Sequence, residues 1–540
     1  MRLTLTAILA AATTPALAYA QEADPASVDR GVVVQPYIEA AQVVTAELEP
    51  GDDVVTYSRV AAGVDAGFGS RYSEGSVSLR YERRISYDDS VADTDTITGL
   101  ARASLAVAGP SVTLEAGGLA ARTRVENSGA TSIGGFGADD DSTTQVYSVY
   151  AGPAVQTQVG VAEVTGAYRV GYTRVESPDA IVNAPGAEPV DIFEDSLTQN
   201  AAVRVGVAPD TVLPVGVGVG AGWNRQDVSN LDQRIDDKHI RADVTVPVSP
   251  NVALVGGVGY EDVTVSSRDA VRDADGNPVR GPDGRFLTDE SAPRQIAYET
   301  DGLIWDVGVM WRPSRRTSLT AGVGRRYGST TYYGSLSYSP NANSGLAVSA
   351  YDGINSFGGQ VVGALEELGT DFEALRNPIT GNIGNCVAGT SGNNCALARL
   401  GSIQSAVFRN RGIAASYGAS YGRTSFGFGA GYDRRSFIAA DDTVLALADG
   451  VVDENFWLAA YAARELDRQS QLSVGTALNK YVSGFDNAAD SFGYSINMAY
   501  DRNFLEGLSG TAAVGLDGVS RENLPDYAGA SALVGLRYTF

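Results

Sequence analysis

The chain of 540 residues carries 64 Asp and Glu against 40 Lys and Arg, a formal charge of −24, which excludes nucleic-acid binding by phosphate neutralisation. One His and two Cys rule out a multi-histidine metal centre and leave little for His-dependent catalysis, so neither an enzyme nor a cofactor is expected. Glycine, at 63 residues, is about one in nine where roughly 7% is usual, poor material for a string of helical soluble domains.

In chain order, Arg2, the apolar run from Leu3 to Leu17 and Ala18-Tyr19-Ala20 read as a secretory signal peptide over 1–20. A short periplasmic segment, 21–31, follows, and a barrel is expected over 32–540. No window of 18 apolar residues appears downstream, so no transmembrane helix is expected. Instead, segment after segment alternates with a period of two. Val77, Leu79, Tyr81, Arg83, Ile85 and Tyr87 are large, while Ser76, Ser78, Arg80, Glu82, Arg84 and Ser86 interleave. Phe492, Tyr494, Ile496, Met498 and Tyr500 stand opposite Gly493, Ser495 and Asn497 in the same way.

This pattern predicts strands near 32–44, 54–67, 72–86, 96–107, 112–125, 144–155, 158–175, 196–207, 213–227, 234–247 and 252–266. They continue at 297–312, 317–328, 331–339, 345–354, 405–420, 425–437, 454–465, 470–483, 490–502, 508–520 and 527–540. Many exceed ten residues, longer than most soluble strands and suited to a tilted bilayer crossing. The expected fold is all-β: a transmembrane antiparallel up-and-down barrel of about 22 strands, within a range of 18–24. In that register the long gaps near 127–143, 176–195, 267–296, 355–404 and 438–453 fall on one side. Short turns such as Gly109-Pro110, Ser249-Pro250-Asn251 and Gly422-Arg423 fall on the other. That is the asymmetry of outer-membrane barrels in Gram-negative bacteria. A spanning sheet must close, because each unsatisfied backbone amide in hydrocarbon costs several kcal/mol. Its outer face needs only moderate apolarity, consistent with a mean hydropathy of −0.07.

Met310-Trp311-Arg312-Pro313-Ser314-Arg315-Arg316-Thr317-Ser318-Leu319, followed by Gly322-Val323-Gly324-Arg325-Arg326-Tyr327-Gly328, resembles a recurring block. It occurs in outer-membrane barrels associated with exosortase (PEP-CTERM) and exopolysaccharide systems. Leu336-Ser337-Tyr338-Ser339 and Val348-Ser349-Ala350-Tyr351 look like the next two strands of that block, and the region from Pro36-Tyr37 to Tyr81-Glu82-Arg83-Arg84 is similar to the family's amino end. The resemblance implies an outer-membrane location and a link to surface polysaccharide, and it carries over no catalytic residues. The terminal Tyr538-Thr539-Phe540 matches the aromatic end, Tyr538 and Phe540, that such barrels present to the barrel-assembly machinery. Outer-membrane lipid, lipopolysaccharide, that machinery and polysaccharide are the expected partners.

The motifs that suggest chemistry are weak. Gly418-Ala419-Ser420-Tyr421-Gly422 matches G-x-S-x-G but lacks a following helix and a His partner, so it reads as a turn. Asp273-Ala274-Asp275-Gly276-Asn277 opens like a calcium loop, yet Pro278 and Gly284 occupy the places of its Gly and Glu. Asp139-Asp140-Asp141 reads as solvated or as a cation bridge to lipopolysaccharide. Cys386 and Cys395 are disulfide candidates in an oxidising compartment. The same connection, 355–404, carries the best helical pattern, Val361-Val362-Gly363-Ala364-Leu365-Glu366-Glu367-Leu368, which could fold outside or into the pore as a constriction.

The side-chain alternation makes Arg80, Glu82, Arg84, His239, Arg241, Asp243, Arg326, Asp517 and Arg537 candidates to line the lumen. Such a ladder either sets the electrostatics of a pore or pairs across strands and braces the wall. His239, the single titratable imidazole, could respond to pH but reads first as a solvated lumen residue. Two function classes compete: a channel or conduit for polysaccharide or small solutes, and a structural or surface-interaction barrel without transport. The first strand begins within about a dozen residues of the mature start, which argues against a TonB-dependent receptor with an amino-terminal plug. On this reading 355–404 is the chief filler.

Overall fold

A computed structural model describes residues 31–87, 93–125, 131–132, 143–176, 195–281, 284–389, 395–401, 405–485, 490–522 and 525–540. The leader over 1–20, most of the segment 21–31 and Asp139-Asp140-Asp141 lie outside them.

Twenty-two antiparallel strands form the wall, each paired with the next along the chain. The first, Val33–Glu49, pairs on one edge with Val54–Gly69 and on the other with the last, Tyr527–Thr539. Tyr37 stands opposite Thr539 and Ala46 opposite Ala530, so the first and last strands close the ring. The 22 segments read from side-chain alternation are these 22 strands, with ends shifted by a few residues.

The alternation is inverted relative to a soluble protein. In Gln233–Ser249, Ile240, Val244 and Val246 are 54, 43 and 42% exposed, whereas His239, Arg241 and Asp243 are 8, 5 and 4%. Apolar side chains coat the outside, and charged ones are enclosed. That arrangement is stable only where the outer solvent is hydrocarbon. Wall strands run from 10 residues in Thr317–Arg326 to 20 in Gln295–Ser314, and about 9–11 tilted residues cross the hydrocarbon core. Connections 126–142, 177–194, 268–294, 356–407 and 438–451 leave one end of the barrel; two-residue turns such as 250–251, 342–343 and 506–507 leave the other.

Several glycines on the enclosed face make room for their neighbours. A Cβ at Gly222 would overlap the imidazole of His239, and one at Gly257 would overlap the guanidinium of Arg241. Within the Gly-rich run 216–222, Gly218 and Gly222 thus make room for the Arg204 and His239 side chains of the two adjacent strands.

Candidate functional site

The connection 356–407 does not extend outward. It turns into the barrel and crosses it. Ser356 ends a wall strand, and its side chain accepts a hydrogen bond from Gly359 N, capping the helix Phe357–Glu366. The Ser356 amide and hydroxyl both donate to Gln226 Oε1, at 2.9 and 2.7 Å, fixing the entry point to the wall. Phe357, Val361, Ala364 and Leu365 are fully buried and pack with wall residues Leu100, Leu119, Val146, Tyr150, Val175 and Val228. Burying each large apolar side chain contributes about 1.5–3 kcal/mol, so this face anchors the segment. The helix is enclosed on nearly all sides, as its largely apolar sequence, broken by Gln360 and Glu366, favours.

Beyond the helix the segment descends toward the short-turn end. Thr370 Oγ1 donates to Glu74 Oε1 at 2.7 Å, and Glu74 is the second residue of the strand Ser73–Ser86. A hairpin, Phe372–Arg376 with Ile383–Gly389, then crosses the lumen. Arg376 donates to Thr98 Oγ1 at 2.7 Å and to Ser78 Oγ at 3.0 Å. At the hairpin tip, Arg59 donates to the carbonyls of Pro378, at 2.9 Å, and Ile379. Ile379 packs with Ala41, Val43, Tyr57, Ala499, Ala513 and Leu533, on the adjoining arc of the wall where the first and last strands meet. On the return path Cys386 and Cys395 are disulfide-bonded and pack with Tyr351, Ala414 and Trp457. Of the two dispositions left open by the sequence, the described residues 356–389 and 395–401 take the inward one and do not form an external loop.

The helix ends in a charged cluster. Glu366 lies 3.4 Å from Arg169, which also pairs with Glu115 at 2.9 Å. Arg102 donates to the carbonyls of Glu366 and Leu368, at 3.1 and 3.2 Å, satisfying groups at the negative end of the helix dipole. Burial pushes the Glu366 carboxyl up to about 7, against the opposing pull of Arg169 and Arg102.

The other enclosed charges form cross-strand networks. Arg80 meets Glu39 at 2.8 Å and Glu82 at 3.0 Å; Arg59 joins Glu39 at 2.8 Å, and Arg84 lies 3.6 Å from Glu82. Arg241 binds both oxygens of Asp306, at 2.7 and 2.9 Å, and reaches Asp243 at 3.0 Å; Asp243 also holds Arg204 at 2.6 Å. Arg326 binds Asp237 at 2.8 Å and Glu261 at 3.3 Å, with His239 Nδ1 3.1 Å from its guanidinium. His239 is thus built into a paired network and is not a freely solvated residue. Arg537 pairs with Asp65 at 2.8 Å beneath the Tyr37 ring, and Asp517 is buried. Tyr538 is exposed on the outer face, edge-on to Phe540, whose amide donates to Pro36 O at 3.0 Å. Sequence reading missed Glu39, Arg59, Glu261 and Asp306, although the same parity rule places Arg59 opposite exposed Val60.

The weaker motifs resolve as turns. Gly422, at φ +59°, joins Phe408–Tyr421 to Thr424–Phe437, so G-x-S-x-G sits in a strand–turn–strand unit. Asp273 accepts hydrogen bonds from the amides of Asp275 and Asn277, both at 2.9 Å, occupying a carboxylate oxygen with its own loop. Among the described residues no group of three or more His, Cys, Asp or Glu could hold a metal ion.

Closed ring, apolar exterior, charged lumen and one-sided long connections together define an outer-membrane β-barrel of a Gram-negative bacterium. No protein-family model matches the chain, and no curated protein matches it. Among solved structures it is similar to the FrpB iron transporter from Neisseria meningitidis (F5-1 variant), at 9% identity and a TM-score of 0.42, over 93% of this chain and 82% of that one. It is also similar to the ferric-catecholate import receptor Fiu from K12 E. coli, at 8% identity and 0.43, over 93% and 81%. The siderophore receptor PiuA from Acinetobacter baumannii aligns at 8% and 0.40, over 94% and 82%. These likenesses are of the barrel alone. They also correct the resemblance drawn from the block at 310–328: the structures named here are an iron transporter, a ferric-catecholate import receptor and a siderophore receptor, not exosortase- or exopolysaccharide-associated barrels, and no family model supports that assignment. Arginines that pair across strands and glycines that make tight turns suit any barrel wall, so that block does not by itself identify a family.

Proposed function

We propose that this barrel is a gated conduit for small polar solutes, in which the inward segment 356–407 is the resident gate. The observation that carries the reading is the way this segment is seated. The apolar helix and the apolar seats of Ile379 and of the Cys386–Cys395 bridge anchor it, while the rest of its deeper part is held by polar contacts to the wall: Thr370 to Glu74, Arg376 to Thr98 and Ser78, Arg59 to Pro378. Such contacts exchange readily with water, so the deep part can leave while the ring, closed by its own ladders, stays intact. The paired lumen charges brace the wall in the seated state and offer both signs of charge to a solute when the gate moves.

Partner proposals follow the same geometry. The outer face meets lipid, its outer rim meets lipopolysaccharide, and Tyr538 with Phe540 engages the barrel-assembly machinery. Purified protein in planar bilayers tests the conduit. Replacing 357–401 by a short flexible linker is expected to convert small or rare conductance steps into large, persistent ones. Silence from both proteins, with the barrel shown folded, would instead support a wall that displays loops and passes nothing.

A further inference from the structure

The wall has a notch at its long-loop end. Thr317–Arg326 and Ser329–Asn341 form a hairpin whose first strand is the shortest of the ring, beside the longest, Gln295–Ser314. Trp305, opposite Arg325, is the outermost residue of the long strand with a partner in that hairpin, so residues 295–304 rise beyond it. On the hairpin's other side the ladder to Ser344–Asn355 runs outward only as far as Gly334 opposite Ala350. Above that level residues 329–333 pair back with 322–326, and residues 351–355 pair onward with 408–412. The two strands part there, leaving a seam five residues long in the wall.

Along the seam the backbone lacks a ladder partner, and arginines reach across to supply part of the bonding. Arg411 donates to Thr330 O and Ser329 Oγ, both at 3.1 Å; Arg409 donates to Ser329 Oγ at 2.6 Å. Both guanidiniums converge on buried Asp352, Arg409 through two bonds of 2.7 Å and Arg411 at 3.2 Å. Two cations therefore share one carboxylate. Exposed Arg434 stands directly opposite Arg411 in the ladder, and exposed Arg325 lies on the hairpin itself. Glu454, opposite Arg434, is engaged by the Tyr432 hydroxyl at 2.5 Å. The lumen side of the seam is apolar: Tyr327, Ile354 and Val407 pack with Ile235, Val263 and Val265. Behind them lies the charged network of Asp237, Glu261 and Arg326.

We infer that this seam is a side portal that binds an anionic amphiphile from the outer leaflet. The head group, a phosphate, takes the positive charge that Arg409, Arg411, Arg434 and Arg325 carry beyond Asp352 and Glu454. The acyl chain lies along the exposed apolar face of Ile413 and Val323. Separation of Tyr327 from Ile354 opens the path to the lumen. The inference concerns the wall and stands whether or not the axial conduit conducts.

The test is photolabelling in phosphatidylcholine nanodiscs with a diazirine-bearing dodecyl phosphate and, separately, a neutral dodecyl glycoside carrying the same chain. Peptide mapping is expected to place the phosphate probe on residues 329–333 and 351–355 in roughly tenfold excess over the outward-facing region around Val149, the scale of one charge-assisted contact. Arg409→Gln with Arg411→Gln should remove that excess. Arg434→Gln, which leaves the Asp352 pairs untouched, should reduce it without altering barrel folding. A laurate analogue separates carboxylate from phosphate heads. Even labelling around the wall, equal capture of the glycoside, or labelling indifferent to Arg434→Gln would overturn the portal.

Discussion

Tyr327 donates its phenolic hydrogen to Asp237 Oδ2 at 2.9 Å across 90 residues of sequence, with its ring between the guanidiniums of Arg326 and Arg409. The contact joins the turn of the shortest hairpin to the charged lumen. Tyr327→Phe keeps the ring and removes one hydrogen bond to a charged acceptor, a loss of about 1.5–3 kcal/mol. Asp237→Asn also breaks the buried pair with Arg326, for which about 3–5 kcal/mol is typical. Gel mobility after graded heating should therefore give midpoints in the order wild type, Tyr327→Phe, Asp237→Asn. Coincident midpoints would mean that this network does not brace the wall.

The seating of the inner segment should depend on pH through Glu366. Its carboxyl is raised to about 7 in the seated state, first by burial, from an ordinary value near 4.5. The facing charges are Arg169 and Arg102 on the wall, Glu115 behind Arg169, and Glu367 at the C-terminal cap of the helix. Because the seated form holds its proton more tightly, seating is strongest below about 4.5 and weakens as pH rises toward 7. The ratio of seated to unseated protein changes by up to about tenfold per pH unit within that window. Conductance should accordingly be larger at pH 8 than at pH 5. Glu366→Gln should flatten the dependence while leaving Arg169 paired with Glu115. An unchanged pH response in that variant would assign the effect to another group.

The wall was legible because hydrocarbon outside and polar groups inside impose a strict period of two, and strands long enough to cross a bilayer repeat it many times. His239, Arg241 and Asp243 could be assigned to one face from Ile240 and Val244 alone. The partners of those charges were harder to read. Arg241 with Asp306, or Arg326 with Asp237, depends on register across several strands, which alternation leaves open. The inner segment was legible as a helix with a cysteine pair, but its direction was not. A largely apolar helix such as Phe357–Glu366 needs enclosure, and the sequence does not say that the enclosing surface is formed by Leu100, Tyr150 and Val228.

Cys386–Cys395 closes a small loop within the inner segment, beside Trp457 and Ala414 and apart from the ladders that close the ring. Removing it should loosen the segment by about 2–3 kcal/mol in the chain-entropy description without lowering wall stability. Cys386→Ser with Cys395→Ser is expected to raise the open fraction in bilayer recordings at pH 5 and to leave the heat-modified mobility midpoint unchanged. A fall in that midpoint would show that the bridge supports the wall itself.

Adjacent glycines offer a test of how the lumen is packed. Gly256 has no atom within 4 Å of the place a Cβ would take, whereas at Gly257 that place is filled by the Arg241 guanidinium. Arg241 in turn is held by two bonds to Asp306 and one to Asp243. Gly257→Ala must push the guanidinium off at least one of these carboxylates, and overpacking of this kind costs about 1–3 kcal/mol. Gly256→Ala adds the same methyl group to the neighbouring position without a clash. Its folded yield and heat-modified midpoint should match wild type, while both should fall for Gly257→Ala. The contrast separates steric accommodation of a lumen side chain from any general intolerance of larger residues in that strand, because the two substitutions share strand, chemistry and depth and differ only in the face they occupy.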